Sequence, residues 1–504
     1  MSDNKLNIPD RVVAYWSPIK GVQRAASRKA LASFEGGKST KQRKQTKDNS
    51  SGTAVVAASG DALRGTARAL EQNYDVVNGA LNLLVDSVVG STGITREPRP
   101  KDNEGNIHTE FAAQINSLWE DFSKKPDVTH QHDYASLERL GARTLFRDGE
   151  FLSQLLVGPI ASLRHGTRVP LSIEMIEIDQ LPFSLNDPSK GIVNGVELNG
   201  WGRPRAFHVY KEHPGDSGWN FNLKTKRVPA DRMIHPKLTS RIGQVRGVTV
   251  FHSVMTRLED VKEYEESERV AARVAAALTG VIIKGTPDDY VAPDSGDEYR
   301  DFGMTPGMIA NRLEIGESVA TIESNRPSTL LVPFHGAMIR YTAAGIGVSY
   351  SSLAKDYGGT YSAQRQELVE AWIHNRALTV MFAGQFSIPV WEKFISASIL
   401  SGELVVPDNV DMNTIYDADF RGPPMPWIDP VREETAAILS ERAIHKTAQQ
   451  IIRERGGNPI EVLKEAALWK AKLAENDMNS SALEPMVVED DESDGGEDDQ
   501  NKDE

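Results

Sequence analysis

The sequence predicts an α+β fold in which helices and strands occupy separate stretches of the chain. Three observations predict it. Apolar residues recur at three- and four-residue steps before residue 150, short alternating segments follow up to about residue 240, and long helical stretches return from residue 250. Helices and strands that are segregated along the chain in this way are typical of α+β architecture.

The composition excludes several classes of protein. The 504 residues suffice for about three or four domains, and 39% hydrophobic with 25% charged residues is typical of a soluble globular protein. No apolar run of roughly 18 residues is present, so no membrane span is expected, and the N-terminus lacks the apolar core of a secretory signal. The chain has no cysteine, which excludes disulfides, Cys-ligated zinc and thiol catalysis and suits an intracellular, reducing compartment.

The net charge of −14 is unevenly distributed. Residues 20–47 carry nine basic side chains and one acidic one, whereas residues 489–504 carry ten acidic side chains and one lysine. Such single-sign, low-complexity ends are expected to be disordered or loosely held. Two interpretations of the basic arm stay open: a solubilising tail, or a segment that contacts nucleic acid or an acidic partner.

The first half of the chain is expected to hold three helices and then a β-rich region. Apolar residues at three- and four-residue steps predict one amphipathic helix over Asp61–Gly90. Further helices are predicted near Glu110–Lys124 and over Tyr134–Phe146. From about residue 150 to 240, short β-rich segments separated by Gly, Pro and Asn predict strands.

A long helix is predicted over Val250–Leu278. At 1.5 Å per residue it would span roughly 40 Å, which is long for a globular protein. One stripe of this helix is apolar and three glutamates fall on the opposite face. The stripe contains Phe251, Val254, Leu258 and Val261, and the glutamates are Glu259, Glu263 and Glu266. The charged face is either simply solvated or lines a wet channel.

A loop-rich insert with two or three short strands is predicted between Gly280 and Pro333. After it, a helix is expected to break at Gly345 and Gly347 and to continue into a loop that contains the Gly358-Gly359 pair. Glycine permits backbone angles that other residues avoid, so this loop is expected to be hinged.

Helices are predicted for the rest of the chain. A long stretch over Tyr361–Leu400 should be kinked by Pro389. A C-terminal helical pair is indicated by Asp429 as N-cap, by the proline after it, and by Gly456-Gly457 as the end of that helix.

Motifs that carry chemistry are mostly excluded. The string "GGKST" at Gly36–Thr40 lacks the first glycine and the preceding strand of a phosphate-binding P-loop. The string "HQHD" at His130–Asp133 sits at a helix entrance, where the two histidines do not face the same way, so a structural role is expected. "RDGE" at Arg147–Glu150 is predicted to be a tight turn with Gly149 at the bend. No G-x-S-x-G nucleophile motif is present.

Several longer strings together resemble the lambda-like family of tailed-bacteriophage portal proteins. They lie between about residues 64 and 472. The strings are "RALEQNYDVVNGALNLLVDSVVGSTG", "LFRDGE", "GQVRGVTVFHSVM" with the long helix after it, "AAGIGVSYSSLAKDYGGTYSAQR" and "WIDPVREETAAILS".

The resemblance implies a portal fold with wing, stem, clip and crown regions, assembled as a ring of commonly twelve subunits. The implied regions are a basic arm at 1–60, a wing at 61–249, a first stem helix at 250–279, a clip at 280–332, a second stem helix at 333–349, a tunnel loop at 350–362, a wing helix and connection at 363–425, a crown-like helical pair at 426–478 and an acidic tail at 479–504.

The resemblance also implies a function and a site. The ring would form a channel at one capsid vertex through which double-stranded DNA is packaged and ejected. The implied tunnel-loop residues are Tyr350, Lys355, Tyr357, Gly358, Gly359 and Thr360, with the acidic stem face at Glu259, Glu263 and Glu266 and hinges at Gly345 and Gly347. A negative wall would keep DNA sliding, whereas a basic wall would hold its phosphates.

The implied partners are terminase, major capsid and scaffold proteins, and head-tail connector proteins. Assembly would take place in the host cytoplasm, and the mature location would be the virion. No catalytic residue, metal, cofactor or membrane is expected. Two rival functions stay open: a nucleic-acid-binding protein that uses the basic arm, and an unrecognised hydrolase with dispersed acidic residues.

Overall fold

A computed structural model of the protein describes residues 13, 15–17, 20, 48–216, 224–277, 281–284, 317–320, 331–426 and 429–476. The chain divides into two compact units, Met1–Val55 and Val56–Glu504. Apart from the first residues of helix α1, every element named below belongs to the second unit.

The described helices are α1 Gly52–Asn73, α2 Asp75–Val88, α3 Thr109–Lys124, α4 Tyr134–Asp148, α5 Met255–Ala277, α6 Leu331–Ile346, α7 Tyr350–Ala354, α8 Tyr361–Phe382, α9 Ile388–Leu400, α10 Pro430–Arg442, α11 Ala448–Glu454 and α12 Pro459–Glu475. No helix in this part of the chain is both long and apolar enough to cross a membrane.

The described strands are β1 Thr95–Pro98, β2 Leu152–Val157, β3 Leu171–Ile176, β4 Ile192–Val193, β5 Val196–Leu198, β6 Pro204–Tyr210, β7 Thr225–Pro229, β8 Met233–Ile234, β9 Val281–Lys284, β10 Glu317–Ala320 and β11 Ala418–Arg421. They form antiparallel sheets with the orders β3-β2-β8, β4-β5-β6-β7, β1-β11 and β9-β10. The predicted α+β class and the strands between 150 and 240 are confirmed.

The prediction of a single helix over Asp61–Gly90 is wrong, because the helix is interrupted at Tyr74. That residue is extended, with φ −140° and ψ 114°. Its ring is buried, and its hydroxyl donates to Glu265 Oε1 on α5 at 3.0 Å. The contact joins residues that are 191 positions apart in the sequence. The periodicity of apolar residues cannot predict a contact at that separation.

Most of the buried apolar side chains among the described residues belong to one large core between the N-terminal helices, β2-β3, the start of α5 and helix α9. An aromatic group at its centre includes Trp119, Trp391 and Phe394, whose ring centroids lie 4.9–5.7 Å apart. A second, smaller core lies under the four-stranded sheet and includes Val196, Phe207 and Val228. The large core thus joins the helical stretches to strands β2 and β3, whereas the small core lies within the β-rich stretch.

The long helix predicted from Val250 begins later than expected. Residues Val250–Ser253 form a 3-10 turn capped by Thr249, and α5 follows from Met255. The predicted apolar stripe is buried, since its four side chains are at most 3% exposed: Phe251, Val254, Leu258 and Val261.

The expected break at Gly345 is wrong, because α6 continues to Ile346. A Cβ at Gly345 would lie 2.3 Å from Val254 Cγ1, so this glycine allows α6 to approach the start of α5 closely. Pro389 follows a disturbed part of the helix, since the π-helical residues Ala383–Ser387 separate α8 from α9; the kink itself stays a prediction. Proline lacks an N–H, so the carbonyl four residues earlier loses its donor.

The C-terminal helical pair is in fact three helices. Asp429 caps α10 by accepting from the backbone N–H of Arg432, as expected. The chain then turns at Ile444, which has φ +58°, and Thr447 and Gln450 form a capping box that starts α11. Gly456, with φ +80°, follows α11.

Candidate channel segment and its supporting joint

Residues 350–362, predicted to be a loop, begin with the short helix α7. Ser349 caps it by accepting from the backbone N–H of Ser352 at 3.2 Å. Lys355 ends it in the left-handed conformation, with φ +55°. The irregular part is therefore residues 355–360, because Tyr361 already belongs to α8.

The middle of this segment is exposed and carries one uncompensated cation. Lys355 is exposed, and no carboxylate among the described residues lies within 4 Å of its Nζ in an ion pair. Tyr357 is 56% exposed. The backbone at Gly358 and Gly359 avoids the left-handed region, and an added Cβ would find its nearest neighbours at 3.4 and 3.8 Å. The expectation that these two glycines supply unusual backbone angles is wrong in this conformation, since Lys355 supplies the turn.

Two of the predicted site residues, Tyr350 and Thr360, contact other side chains or the backbone and so stabilise the segment. The guanidinium of Arg340 lies 4.5 Å from the ring centroid of Tyr350, and the Tyr350 hydroxyl donates to Asp356 Oδ2 at 3.4 Å. Thr360 caps α8 by accepting from the backbone N–H of Ala363 at 3.4 Å. Tyr350 and Thr360 therefore hold the ends of the segment, while Lys355 and Tyr357 face solvent.

Glu367 on α8 fastens the base of the segment. Its carboxylate accepts from the Ser349 hydroxyl at 2.8 Å, from the Ser351 N–H at 3.0 Å and from the Ser351 hydroxyl at 2.6 Å. Partial burial acts to raise the pKa of Glu367, but these hydrogen bonds outweigh it and lower the pKa below its usual value. Gln364 Nε2 also donates to the carbonyl oxygens of Tyr357 and Gly359.

Gly347 lies where α6 turns towards the segment. Its φ is +85°, and a Cβ there would lie 2.5 Å from His374 Nε2. The positive φ favours glycine at this position, and a Cβ there would require the His374 ring to move. The two predicted hinges thus have different surroundings, Gly345 inside a helix and Gly347 after it, and their movement stays a prediction.

The predicted acidic face of α5 is exposed. Glu259, Glu263 and Glu266 are all exposed, and none has an ion-pair partner within 4 Å among the described residues. Seven residues separate the first from the last, so the stripe is roughly 10 Å long. Towards the C-terminus the same face continues with Val270, 47% exposed, and Arg273.

A buried joint fixes the start of this stem. Glu150, which is 1% exposed, accepts from Arg246 Nε at 2.8 Å, from the Gly247 N–H at 2.7 Å and from His235 Nε2 at 2.8 Å. We call this group, with Lys237, the Glu150 joint. It connects the end of α4 with the chain that leads into α5.

Arg246 is fully buried within the joint. Its Nη1 donates to the carbonyl oxygens of Leu181 and Asn194, both at 3.0 Å, and its guanidinium lies 4.0 Å from the ring centroid of Phe183. One side chain therefore ties the stem entrance to the core under the four-stranded sheet. A buried charge needs such partners, because its desolvation is costly.

Two glycines let the joint close. Gly149 has φ +89°, which confirms the predicted bend, and a Cβ there would lie 2.3 Å from the Val248 carbonyl carbon. A Cβ at Gly247 would lie 2.1 Å from the Gly149 carbonyl oxygen. The two turns are in backbone contact, so neither position has room for a side chain.

Burial and charge shift the pKa values in the joint. Burial acts to raise the pKa of Glu150, but the charge of Arg246 and the hydrogen bond from His235 outweigh it and lower the pKa to about 2. Burial lowers the pKa of His235, and the nearby cations Lys237 and Arg246 act in the same direction. The joint therefore holds an ionised glutamate beside a neutral histidine.

Sequence inspection missed Arg246, because it meets Glu150 across 96 positions. The available signal was the pair of strings "RDGE" and "VRGV", each with a glycine beside a charged residue. Of the histidine motif, Asp133 caps α4 by accepting from Ser136 N at 2.8 Å, and His130 Nε2 lies 3.1 Å from the Arg164 carbonyl oxygen. The "GGKST" string lies outside the described residues.

One group of side chains in the described part of the chain has a spacing that could suit a metal ion: Glu177, Asp179 and His213. Asp179 already accepts from Arg68 at 2.6 Å and lies 3.4 Å from Arg64. Two cations at this distance oppose the binding of a third, so we assign the group to the local ion-pair network.

Comparison with known proteins identifies the family. The family model described as "Phage portal protein, lambda family" matches residues 38–378, more than half of the chain. The probable portal protein of Halomonas phage phiHAP-1 is 27% identical over 450 residues, which cover 84% of each chain. Portal protein B of Escherichia phage lambda is 22% identical over 441 residues, covering 79% of this chain and 82% of that one.

Solved structures give weaker likenesses. A chain in the neck of a native gene transfer agent (GTA) particle computed with C12 symmetry has a TM-score of 0.41 and 13% identity, covering 81% of this chain and 99% of that chain. An HK97 family phage portal protein from Corynebacterium diphtheriae has a TM-score of 0.30 and 14% identity, covering 61% of this chain and 84% of that chain. The assignment rests on the sequence matches: the chain belongs to the lambda family of phage portal proteins.

Proposed function

We propose that this chain is the subunit of a ring, of about twelve copies, that forms the DNA channel at one vertex of a phage capsid. Double-stranded DNA would pass through it during packaging and ejection. Terminase would dock on it during packaging, and head-tail connector proteins afterwards. The match of residues 38–378 to the lambda portal family is the observation that carries this proposal.

The exposed apolar surface supports an oligomer. Large apolar side chains face solvent along three helices in the second half of the chain, and large exposed apolar patches are typical of interaction sites. They are Val332, Phe334 and Tyr341 on α6, Ile373 and Val380 on α8, and Leu463 and Trp469 on α12, each at least 44% exposed. Neighbouring subunits in a ring would cover such surfaces.

The regions are assigned within this proposal. The elements from α1 to β8 would form the wing, α5 and α6 the stem, α8 and α9 the wing helix, and α10–α12 the crown. Strands β9 and β10 would belong to the clip, most of which lies outside the described residues, as do most of the basic arm and the whole acidic tail. Major capsid and scaffold proteins would meet the wing.

The acidic stripe on α5 suits a sliding contact with DNA. Glu259, Glu263 and Glu266 are exposed and unpaired among the described residues, so their charges would face the channel undiminished. Phosphates are held by cations through counterion release, and a wall of carboxylates offers none of that affinity. The side chains of Lys355 and Tyr357, which are exposed, would touch the duplex transiently.

Native mass spectrometry of the purified chain, with negative-stain images, tests the ring. We expect a closed assembly near twelve copies with a central hole. A monomer or dimer at every protein and salt concentration tested would contradict the proposal.

Deletion of residues 20–47 distinguishes a portal ring from a protein that binds nucleic acid through its basic arm. We expect a portal ring to bind free duplex DNA weakly and to keep its number of subunits after the deletion. Strong, salt-dependent duplex binding that disappears with the deletion would instead identify a protein that binds nucleic acid through its basic arm.

A further inference from the structure

The turn between β5 and β6 presents an unusually exposed aromatic side chain. Trp201 at its tip is 96% exposed. The turn itself is well ordered: Asn199 Oδ1 accepts from the N–H groups of Trp201 and Arg203, both at 2.9 Å, and the Gly202 N–H donates to the Asn199 carbonyl at 2.9 Å. A large aromatic on a pre-ordered turn loses little conformational entropy when it binds.

The same turn is basic. Arg203 and Arg205 are exposed, and no carboxylate within the described ranges forms an ion pair with either guanidinium. Tryptophan and arginine are the residues most enriched at the centres of protein interfaces. The turn therefore has the composition of an anchor for an acidic recess with an apolar wall.

A recess of that chemistry lies on the same β-rich region. It has a volume of about 550 Å³ and is lined by Met175, Ile176, Gln180 and His213 together with the carboxylates of Glu174, Glu177 and Asp216. Lys226 Nζ approaches Glu174 only to 3.9 Å, and Glu177 stays 57% exposed although His213 Nε2 lies 2.9 Å from its Oε2. The rim therefore keeps an acidic character.

The turn and the recess lie at opposite ends of β6. The strand spans Pro204–Tyr210, directly after the turn and just before His213 at the recess. Seven residues at 3.3–3.4 Å each separate the two by roughly 23 Å, so Trp201 is out of reach of the recess on its own chain. Complementary patches at opposite ends of one strand favour a head-to-tail contact between copies, and such a contact forms a ring when the rotation from one copy to the next closes.

We propose that Trp201 of each subunit inserts into this recess on the next copy of the chain, with Arg203 and Arg205 facing its carboxylates. The contact rests on the proposed ring and specifies one interface within it. It would lock neighbouring wings independently of the stem and crown contacts.

Cysteine cross-linking tests the contact, since the chain has no cysteine of its own. Gly200→Cys places a thiol beside Trp201 and keeps that side chain, since an added Cβ at Gly200 meets nothing within 4 Å. Combined with Gln180→Cys, it should give, after mild oxidation of assembled rings, a ladder of covalent oligomers that ends at the ring size. Gly200→Cys alone is the matched control and should give none, because two copies of the turn do not meet. Gly200→Cys with Leu400→Cys, at a position that is 84% exposed and outside the recess, should give none as well.

The outcomes separate this contact from the ring itself. Intact rings of the double variant without cross-links would overturn the contact and leave the proposed function standing. A wild-type chain that forms no ring would overturn both.

A charge exchange gives an independent test. Arg203→Glu with Arg205→Glu should weaken assembly by roughly tenfold or more, and Glu174→Lys with Glu177→Lys in the same chain should restore part of it. Loss without restoration would contradict the pairing.

Discussion

The Glu150 joint and the 350–362 segment both contain glycines and charged residues, yet they are built in opposite ways. In the joint, Glu150 and Arg246 are at most 1% exposed and every oxygen of the carboxylate has a donor. In the segment, Lys355 and Tyr357 are exposed, and hydrogen bonds hold mainly its two ends. The chain therefore places its rigid charges where the stem begins and its free charge where the proposed channel would narrow.

The glycines show the same contrast. Gly247 is required because the opposing backbone lies 2.1 Å from where its Cβ would be. Gly359 has its nearest neighbour at 3.8 Å and no left-handed backbone. In the joint, glycine is needed because the packing leaves no room for a side chain. In the segment, glycine lies where a side chain would have room, and it makes no side-chain contact with the rest of the protein.

Removing the Glu150 carboxylate should lower the free energy of unfolding more than any other change considered. Glu150→Ala leaves Arg246 buried without its partner, so we expect the free energy of unfolding to fall by about 3–5 kcal/mol. Chemical denaturation of the purified chain measures it. Glu266→Ala, which removes an exposed glutamate, is the control and should stay within about 0.5 kcal/mol of wild type. Equal effects of the two substitutions would show that the joint does not contribute to the free energy of unfolding.

Acid should weaken the joint. The pKa of Glu150 in the folded chain, about 2, lies below the ordinary value of roughly 4.3, so its contribution is complete above that value and is lost as pH falls. The pKa of His235 is also lowered, so its contribution too is lost as pH falls, starting near 6.5. We expect a loss of about 2–3 kcal/mol between pH 5 and 2 that Glu150→Gln removes. Parallel pH profiles of wild type and variant would refute it.

Substitution by alanine should have different effects on stability at Gly247 in the joint and at Gly359 in the segment. Gly247→Ala should destabilise the chain by about 1–3 kcal/mol, because the added Cβ overlaps the Gly149 carbonyl oxygen. Gly359→Ala should be neutral within about 0.5 kcal/mol, since the added atom meets nothing closer than 3.8 Å. Thermal unfolding of both variants measures the difference, and a costly Gly359→Ala would show that the segment is packed more tightly than its exposure indicates.

Loosening the base of the segment should have the smallest effect on global stability. Glu367→Ala removes three hydrogen bonds that hold Ser349 and Ser351, so residues 349–354 should become more sensitive to protease while the unfolding free energy falls by only about 1 kcal/mol. Glu370→Ala, on the exposed face of α8, is the control. Unchanged cleavage in the Glu367 variant would mean that other contacts fasten the segment.

Local signals in the sequence predicted much of the fold. The N-caps Asp133 and Asp429, the apolar stripe of α5 and the disturbance before Pro389 all depend on residues within one or two turns. Two missed features were also local. Ser349 caps α7, and the box formed by Thr447 and Gln450 starts α11.

The other misses are non-local. Tyr74, where the helix is interrupted, contacts Glu265 across 191 positions, and the joint depends on Arg246 reaching Glu150 across 96 positions. Residue spacing encodes which face of a helix is buried, but it does not encode which distant side chain will meet it. The Thr360 cap of α8 is local, since its acceptor and donor are three residues apart, whereas the contact of Tyr350 with Arg340 on α6 required the fold.

Hydrogen–deuterium exchange of the assembled protein tests the central contrast most directly. The amide N–H groups of Gly247, Val248 and Leu238 donate to buried acceptors in and beside the joint, whereas residues 355–360 lie exposed. We predict strong protection for the first group and exchange near the intrinsic rate for Tyr357, Gly359 and Thr360, whereas the Gly358 N–H donates to Asp356 Oδ1 at 3.3 Å and should exchange somewhat more slowly. Fast exchange in the joint, or protection of residues 357–360 equal to that of Gly247, would contradict the account.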